Sequence, residues 1–120
     1  MTRTGIYAAM HQACAALTLG ALPLAAMSAD RTIEIEATEF AFEPAKIEVE
    51  QGETVRLKLV NNGNLSHNLH LRGADTQTDT IQTGNSDSVE FTATEDGTVH
   101  FFCDVPGHEQ AGMTGRLKVQ

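Results

Sequence analysis

Hydrophobic and polar residues alternate with a period of two along most of the chain after Asp30. In Arg31–Ala37, for example, Ile33 and Ile35 fall on one face of an extended chain and acidic residues fall on the other. Because such alternation is typical of a half-buried strand, we expect a strand in each segment that has it. The other alternating segments are Lys46–Glu50, Thr54–Val60, Ser66–Arg72, Ser88–Ala93, Thr98–Phe102 and Arg116–Val119.

Turn-forming residues separate these segments. Phe40 and Phe42 continue the first alternation until Pro44 breaks it, and turns rich in glycine or asparagine follow several later segments. The polar stretch Arg72–Asp87 has no strong period, so we expect a long crossover loop with a short edge strand around Thr80–Gln82. Seven or eight short strands without a convincing helix predict an all-β fold, an antiparallel β-sandwich or barrel.

The first 29 residues have a different composition. Arg3 is the only charged residue among them, and Ala13–Met27 is an apolar run with small residues at its end. This composition predicts a secretory signal peptide at residues 1–29 and a single mature domain at residues 30–120. An uncleaved membrane anchor is the alternative, but Pro23 interrupts the run, which is shorter than the roughly 20 apolar residues of a spanning helix. We therefore expect an extracytoplasmic protein, in the periplasm if the source is Gram-negative, that meets a membrane only if the leader is retained.

The charge of the chain narrows the class of partner. There are 16 acidic and eight basic residues, the net charge is −8, and every acidic residue lies in the predicted mature domain. This balance argues against nucleic acid, which basic patches bind. It is compatible with a basic protein partner, such as a cytochrome, and equally with an acidic surface that serves only solubility.

Cys103 is the only cysteine of the predicted mature domain, because Cys14 lies in the leader. A disulfide within the domain is therefore excluded. A lone thiol in an oxidising compartment is vulnerable to oxidation unless it is buried or bound to a metal. The sequence thus indicates a specific role for Cys103, and a bound metal would add to the stability of this small domain.

The segment Val99–Met113, VHFFCDVPGHEQAGM, carries three potential metal ligands. Cys103, His108 and Met113 are separated by four residues each, and Pro106-Gly107 predicts a tight turn between the first two. A thiolate, an imidazole and a thioether are soft ligands, which suit copper better than magnesium or calcium. The spacing therefore predicts a copper-binding loop.

A blue copper site with an axial thioether needs a second imidazole, and His67 is the candidate. Leu69 and Leu71 should face the core, so the parity of the strand turns His67 towards the core as well. The same parity turns His70 and His100 outward, and we assign no role to either.

Each of these residues has a structural interpretation when it is taken alone. A lone buried histidine, methionine or cysteine commonly serves only to fill a core. The Cys-x₄-His-x₄-Met spacing, together with a histidine before an apolar strand, favours a metal site instead. We predict that His67, Cys103, His108 and Met113 bind one copper ion.

At these residues the sequence resembles the cupredoxins, the small blue copper proteins. The loop FFCDVPGHEQAGMTGRLKV is similar to the ligand loop of the azurin, rusticyanin and auracyanin group, and its spacing is closer to rusticyanin and auracyanin. The segment Ser66–Asn68 matches the family's first-histidine segment, and FAFEPAKIEVEQGETVRLKLVNNG is similar to its early strands. One departure is Ser66, which stands where azurin has a glycine.

The resemblance implies a Greek-key β-sandwich, one type 1 copper ion and one-electron transfer between redox partners. It makes His67, Cys103 and His108 equatorial ligands and Met113 the axial ligand. Asn68 matches an asparagine of the family that would tie the His67 strand to the cysteine loop.

Three functions are compatible with this site. An exported, monomeric one-electron carrier is favoured, and an enzyme is disfavoured because the motif leaves neither an open coordination position nor a spare general base. Copper delivery or storage is the alternative, although the mature domain has no tail rich in histidine or methionine. The third function is a cupredoxin-like binding module in which copper is incidental.

Overall fold

The computed structural model describes residues 29–120, and the secondary structure in this range consists of strands. Among the described residues, no helix has the length and apolar character that crossing a membrane requires. Apart from Ala29, the predicted signal peptide lies outside the described residues and stays a prediction. Strands of residues 29–120 are β1 (Arg31–Thr38), β2 (Ala41–Glu43), β3 (Lys46–Val49), β4 (Thr54–Asn61), β5 (His70–Leu71), β6 (Thr76–Gln77), β7 (Ser86–Thr92), β8 (Gly97–Phe102) and β9 (Thr114–Val119).

The strands form two sheets with the orders β2-β1-β4-β7 and β3-β9-β8-β5-β6. Most neighbouring strands are antiparallel, but β1 pairs with β4 and β3 pairs with β9 in parallel, so both sheets are mixed. The all-β sandwich predicted from the sequence is confirmed. The strands in the described range number nine, because β2 is a separate three-residue strand after β1 and β6 is a two-residue strand in the polar stretch, neither of which alternation resolves.

The core lies between the two sheets and consists of the inward side chains of both. Strand parity predicted most of it correctly, since Ile35 of β1 and Leu57 of β4 are fully buried, as is Phe101 of β8. Gly115 of β9 faces the Phe101 ring, and a Cβ atom at Gly115 would lie 2.2 Å from a ring carbon. Glycine is therefore needed at this position so that β9 can pass close to the aromatic ring.

Phe40 departs from the predicted alternation. It lies in the turn between β1 and β2 with a φ of 59°, and its side chain is 41% exposed, whereas Phe42 is buried. Residues in a left-handed turn do not follow strand parity, so the alternation predicted through Phe40 and Phe42 does not hold at Phe40.

The strands predicted at Ser66–Arg72 and around Thr80–Gln82 are shorter in the structure. Regular pairing is confined to His70–Leu71, and the single bridge between His67 and Ile81 stands apart from it. Between these points a side chain takes part in the pairing: the Leu69 N–H donates to the Thr78 hydroxyl at 2.9 Å, while the Leu69 carbonyl accepts from the Thr78 N–H at 2.9 Å. Such local bonds compete with a regular ladder.

The outer faces of the two sheets differ in charge. On the five-stranded sheet, Lys46 lies beside Arg116, and Arg116 lies beside His100 on the next strand. The Arg72 N–H donates to the His100 carbonyl at 2.8 Å, which places Arg72 at the end of the same row. The outer face of the four-stranded sheet has more acidic than basic side chains, with Glu34, Glu36, Glu43 and Glu90 against Arg56 and Lys58.

Candidate metal centre

The predicted copper loop is the connection between β8 and β9. Cys103 directly follows β8, and Met113 directly precedes β9. The Cys103 N–H donates to the Met113 carbonyl at 3.1 Å, and the Met113 N–H donates to the His108 carbonyl at 3.1 Å. These bonds close the base of the loop, so the hairpin holds the main chain of all three residues together.

A tight turn brings His108 back towards Cys103. The His108 N–H donates to the Val105 carbonyl at 3.0 Å, with Pro106 and Gly107 at the centre of the turn. Gly107 has a φ of 86°, which the third residue of a type II turn requires and glycine adopts without strain. The tight turn predicted at Pro106-Gly107 is confirmed.

His67 is presented from a different part of the chain. Its N–H donates to the Ile81 carbonyl at 3.0 Å, and its carbonyl accepts from the Ile81 N–H at 2.8 Å. This isolated bridge fixes the main chain at His67, and its side chain is fully buried, as parity predicted.

The structure brings the side chains of His67, Cys103 and His108 together. His67 Nδ1 is 3.2 Å from His108 Nδ1, and Cys103 Sγ is 3.5 Å from His108 Nδ1. One donor atom from each residue lies within 4.8 Å of the other two. Met113 is fully buried at the end of the same loop. The assignment of these four residues as ligands stays a prediction, to which the convergence of three donors gives geometric support.

Asn68 joins the His67 segment to the loop. Its side-chain amide donates to Asp104 Oδ1, and its carbonyl oxygen accepts from the Asp104 N–H at 2.8 Å. The predicted tie between the two segments is confirmed, with Asp104 as the partner that the sequence did not reveal. Paired hydrogen bonds of this kind hold neighbouring segments in one arrangement.

Burial controls the protonation of the two innermost donors. It raises the pKa of the Cys103 thiol above its usual range, although backbone N–H groups of Asn68 and Val105 act in the opposite direction. It also lowers the pKa of His67, an effect that a charge on His108 increases and the Glu39 carboxylate opposes. A neutral imidazole is the form that binds a metal, so His67 is prepared for that role at neutral pH.

This donor set fits a copper ion. Two imidazole nitrogens and one sulfur converge in a buried space, and such a combination favours soft or borderline metals over magnesium and calcium. The other nitrogen of His67, Nε2, is buried without a hydrogen-bond partner among the described residues. An imidazole that binds a metal through Nδ1 carries its proton on Nε2, so the orientation of His67, with Nδ1 towards the cluster, fits this mode of binding.

Two residues beside the cluster were missed by the sequence analysis. The Phe40 ring packs edge-on against His108 with a centroid separation of 5.2 Å, and Glu39 Oε1 lies 3.8 Å from His67 Nε2. Both belong to the β1–β2 turn, which period-two alternation does not describe. The nearest sequence signal is Pro44, which marks an irregular region but not the residue at which the chain turns.

Comparisons with known proteins agree with this geometry. A family model described as a cupredoxin-like domain matches residues 9–117. The copper-resistant cuproprotein CopI of Pseudomonas aeruginosa is 28% identical, over 82% of this chain and 81% of that protein. Auracyanin B superposes with a TM-score of 0.71 and 26% identity, over 78% of this chain and 91% of its own. Auracyanin A of Chloroflexus aurantiacus, described as a "blue" copper protein, has a TM-score of 0.66 and 26% identity, over 74% of this chain and 98% of its own.

Proposed function

This chain belongs to the cupredoxin-like family, and from that premise we propose that it is an exported one-electron carrier. One copper ion would be held by His67, Cys103, His108 and Met113. The likeness to auracyanins supports the carrier role, and the name of the CopI relative supports copper as the metal.

The observation that carries the proposal is the convergence of one sulfur and two Nδ1 atoms in a buried site. His67 and Cys103 are fully buried, whereas His108 is 7% exposed. Buried donors exclude water and hold their positions, which suits a centre that must change its charge with little rearrangement. When bound, copper would supply the one-electron redox couple.

The residues of the site would have separate roles. Cys103 would bind as the thiolate, which requires loss of the proton that burial favours in the free protein. His67 and His108 would bind as neutral imidazoles, and the tie between Asn68 and Asp104 would keep their two segments in register. With Met113 as the fourth donor no position remains for a substrate, which supports a carrier over an enzyme.

His108 marks the side from which a redox partner would approach. Phe40 packs against its ring and is 41% exposed, and Leu65, 44% exposed, has its N–H bonded to Glu39 next to Phe40. Exposed apolar side chains beside a buried centre favour brief contact with another protein. The net charge of −8 favours a basic partner such as a cytochrome, and export would place the encounter outside the cytoplasm.

Copper delivery or storage is the second candidate, favoured by the relative named as a copper-resistant cuproprotein. A delivery protein must release its metal readily, whereas the His67 and Cys103 donors are fully buried. The two functions therefore differ in a measurable property, the rate of copper transfer to a competing apo-protein.

The test is the visible absorption spectrum of the protein after addition of Cu(II), then a reductant, then an oxidant. We expect an intense blue band that the reductant bleaches and the oxidant restores, because charge transfer from the thiolate to copper produces it. Cys103→Ser should abolish the band. His100→Ala, which removes an exposed histidine on the outer face of β8, is the matched control and should leave the spectrum unchanged.

A Cys103→Ser protein that stayed blue would refute the assignment of the ligands. A colourless protein that binds copper, or a blue protein that transfers its copper rapidly to an apo-protein, would favour the copper-handling function instead.

A further inference from the structure

The Glu39 side chain lies behind His67, on the side of the imidazole that faces away from the donor cluster. Glu39 Oε1 is 3.8 Å from His67 Nε2, while Nδ1 of the same ring faces His108. His67 Nε2 is buried and has no hydrogen-bond partner among the described residues. A buried N–H group without an acceptor is costly in free energy, and the carboxylate is placed to become that acceptor.

The main chain holds this carboxylate in place. Glu39 Oε1 accepts from the Leu65 N–H at 3.1 Å and also from the Asn64 N–H. These two bonds fix the carboxylate beside the imidazole, even though the Glu39 side chain is 37% exposed.

Gly63 makes room for the approach of Glu39 to His67. A Cβ atom at Gly63 would lie 2.5 Å from Glu39 Oε1 and 3.0 Å from His67 Nε2. The φ of Gly63 is not in the left-handed region, so its backbone conformation does not require glycine. The absence of a side chain at Gly63 thus leaves the space in which the Glu39 carboxylate approaches the His67 imidazole.

We propose that Glu39 is a positioning residue of the metal centre, whose carboxylate accepts the Nε2–H of His67 and keeps the Nδ1 lone pair directed at the donor cluster. The inference rests on the proposed binding of copper by His67. A carboxylate behind a metal-bound histidine makes the imidazole a stronger donor. It also places a negative charge near the ion, which stabilises Cu(II) relative to Cu(I) and lowers the reduction potential.

The first test separates the charge of Glu39 from its hydrogen bonds. Glu39→Gln keeps an oxygen that can accept from the main chain and from His67, but it removes the charge. We expect a higher reduction potential than in the unaltered protein. The matched control is Glu34→Gln, which removes an equal charge from the exposed outer face of β1. Equal potentials in the two variants would overturn the electrostatic part of the proposal.

The second test needs no copper. In the copper-free protein, ¹H–¹⁵N correlation spectra of the His67 ring report which nitrogen carries the proton. We expect the Nε2–H tautomer, and we expect Glu39→Ala to lose this preference and to bind Cu(II) about 10–100-fold more weakly. Gly63→Ala should have the same effect on the tautomer, because it displaces the carboxylate without removing it.

The two proposals can fail independently. An unchanged His67 tautomer in Glu39→Ala and Gly63→Ala would overturn the role of Glu39 and leave a blue copper site intact. A protein without a blue band would overturn the proposed function, while the tautomer in the copper-free protein would still decide whether Glu39 orients His67.

Discussion

His108 differs from the other two clustered donors in its access to the surface. It keeps 7% of its side chain exposed and contacts Phe40, whereas His67 and Cys103 are fully buried. Burial lowers the pKa of His67 and raises that of Cys103, so the copper-free centre is a neutral imidazole beside a neutral thiol. At the scale of residues, therefore, the fold keeps His67 in the neutral form that binds a metal, whereas Cys103 must lose a proton on binding.

Met113→Leu should retain copper and raise the reduction potential. Leucine fills a similar buried volume, so we expect a loss of stability below about 1.5 kcal/mol. Removing the thioether takes a donor from the oxidised ion, and the axial ligand tunes the potential of such centres. Cyclic voltammetry measures the change, with Thr114→Ala, an exposed change at the next residue, as the control. An unchanged potential in Met113→Leu would mean that Met113 is not the axial ligand.

The spacing of the donors in the sequence was informative because Cys103, His108 and Met113 lie on one short hairpin loop. The remaining donor, His67, lies at an inward-facing position. Parity placed His67 in the interior, and Pro106-Gly107 indicated the turn that returns the chain to Cys103. Glu39 and Phe40 could not be predicted, because their positions depend on a left-handed turn that no hydrophobic pattern marks.

At the scale of elements, long strands were easier to predict than short ones. β4 buries alternate side chains along its eight residues, and β1 does so from Ile33 to Ala37, which produces a clear period. β5 and β6 have two residues each, and side-chain bonds such as the one from Leu69 to Thr78 replace part of their ladder. The parallel pairs were also missed, because alternation defines the buried face of a strand but not the direction of its neighbour.

Arg31 and Glu53 connect β1 and β3 to the turn before β4. The Arg31 guanidinium pairs with the Glu53 carboxylate at 2.5 Å and donates to the Glu48 carbonyl at 2.6 Å. The Glu50 N–H donates to the other Glu53 oxygen at 2.9 Å. The bond from Glu50 contributes most to lowering the pKa of Glu53, and Arg31 adds to the effect.

Glu53→Gln should therefore lower the melting temperature at pH 7 and make the melting temperature less dependent on pH in the acidic range. Because the pKa of Glu53 is lower in the folded protein, the unfolded chain binds more protons in acid. The stabilisation is present above about pH 4.5, the ordinary value, and is lost as the pH falls through the folded pKa. Thermal unfolding followed between pH 7 and pH 3 measures this effect. Glu95→Gln, in the turn before β8, is the control, and a similar response of both variants would contradict the prediction.

At the scale of the whole molecule, the donor cluster joins segments that are distant in the sequence. His67 and Cys103 are 36 residues apart, as are the hydrogen-bonded Asn68 and Asp104. Without a disulfide in residues 29–120, few covalent constraints oppose unfolding, and the described range has a single free cysteine. A ligand that binds only the folded arrangement stabilises it by mass action.

Loading with copper should raise the melting temperature. At a free copper concentration 100 times the Kd, the stabilisation is about 2.7 kcal/mol. For a domain of this size that corresponds to a shift of roughly 10 °C or more. Calorimetry of the copper-free and copper-loaded protein measures it, and Cys103→Ser, which lacks one donor, should show a smaller shift. Equal shifts in both proteins would mean that the copper is bound elsewhere.

On the outer face of β3 and β9, Lys46, Arg116 and Lys118 outnumber Glu48, while the opposite outer face has more acidic than basic side chains, so the sandwich has an electric dipole moment as well as a net charge. A dipole experiences a torque in an external field, so the molecule rotates before it touches a charged surface. An acidic molecule of this kind can turn its cationic face towards an anionic surface that would otherwise repel it. The field then sets the orientation of the molecule at first contact. This orienting effect weakens with added salt, since the Debye length is about 8 Å at physiological ionic strength.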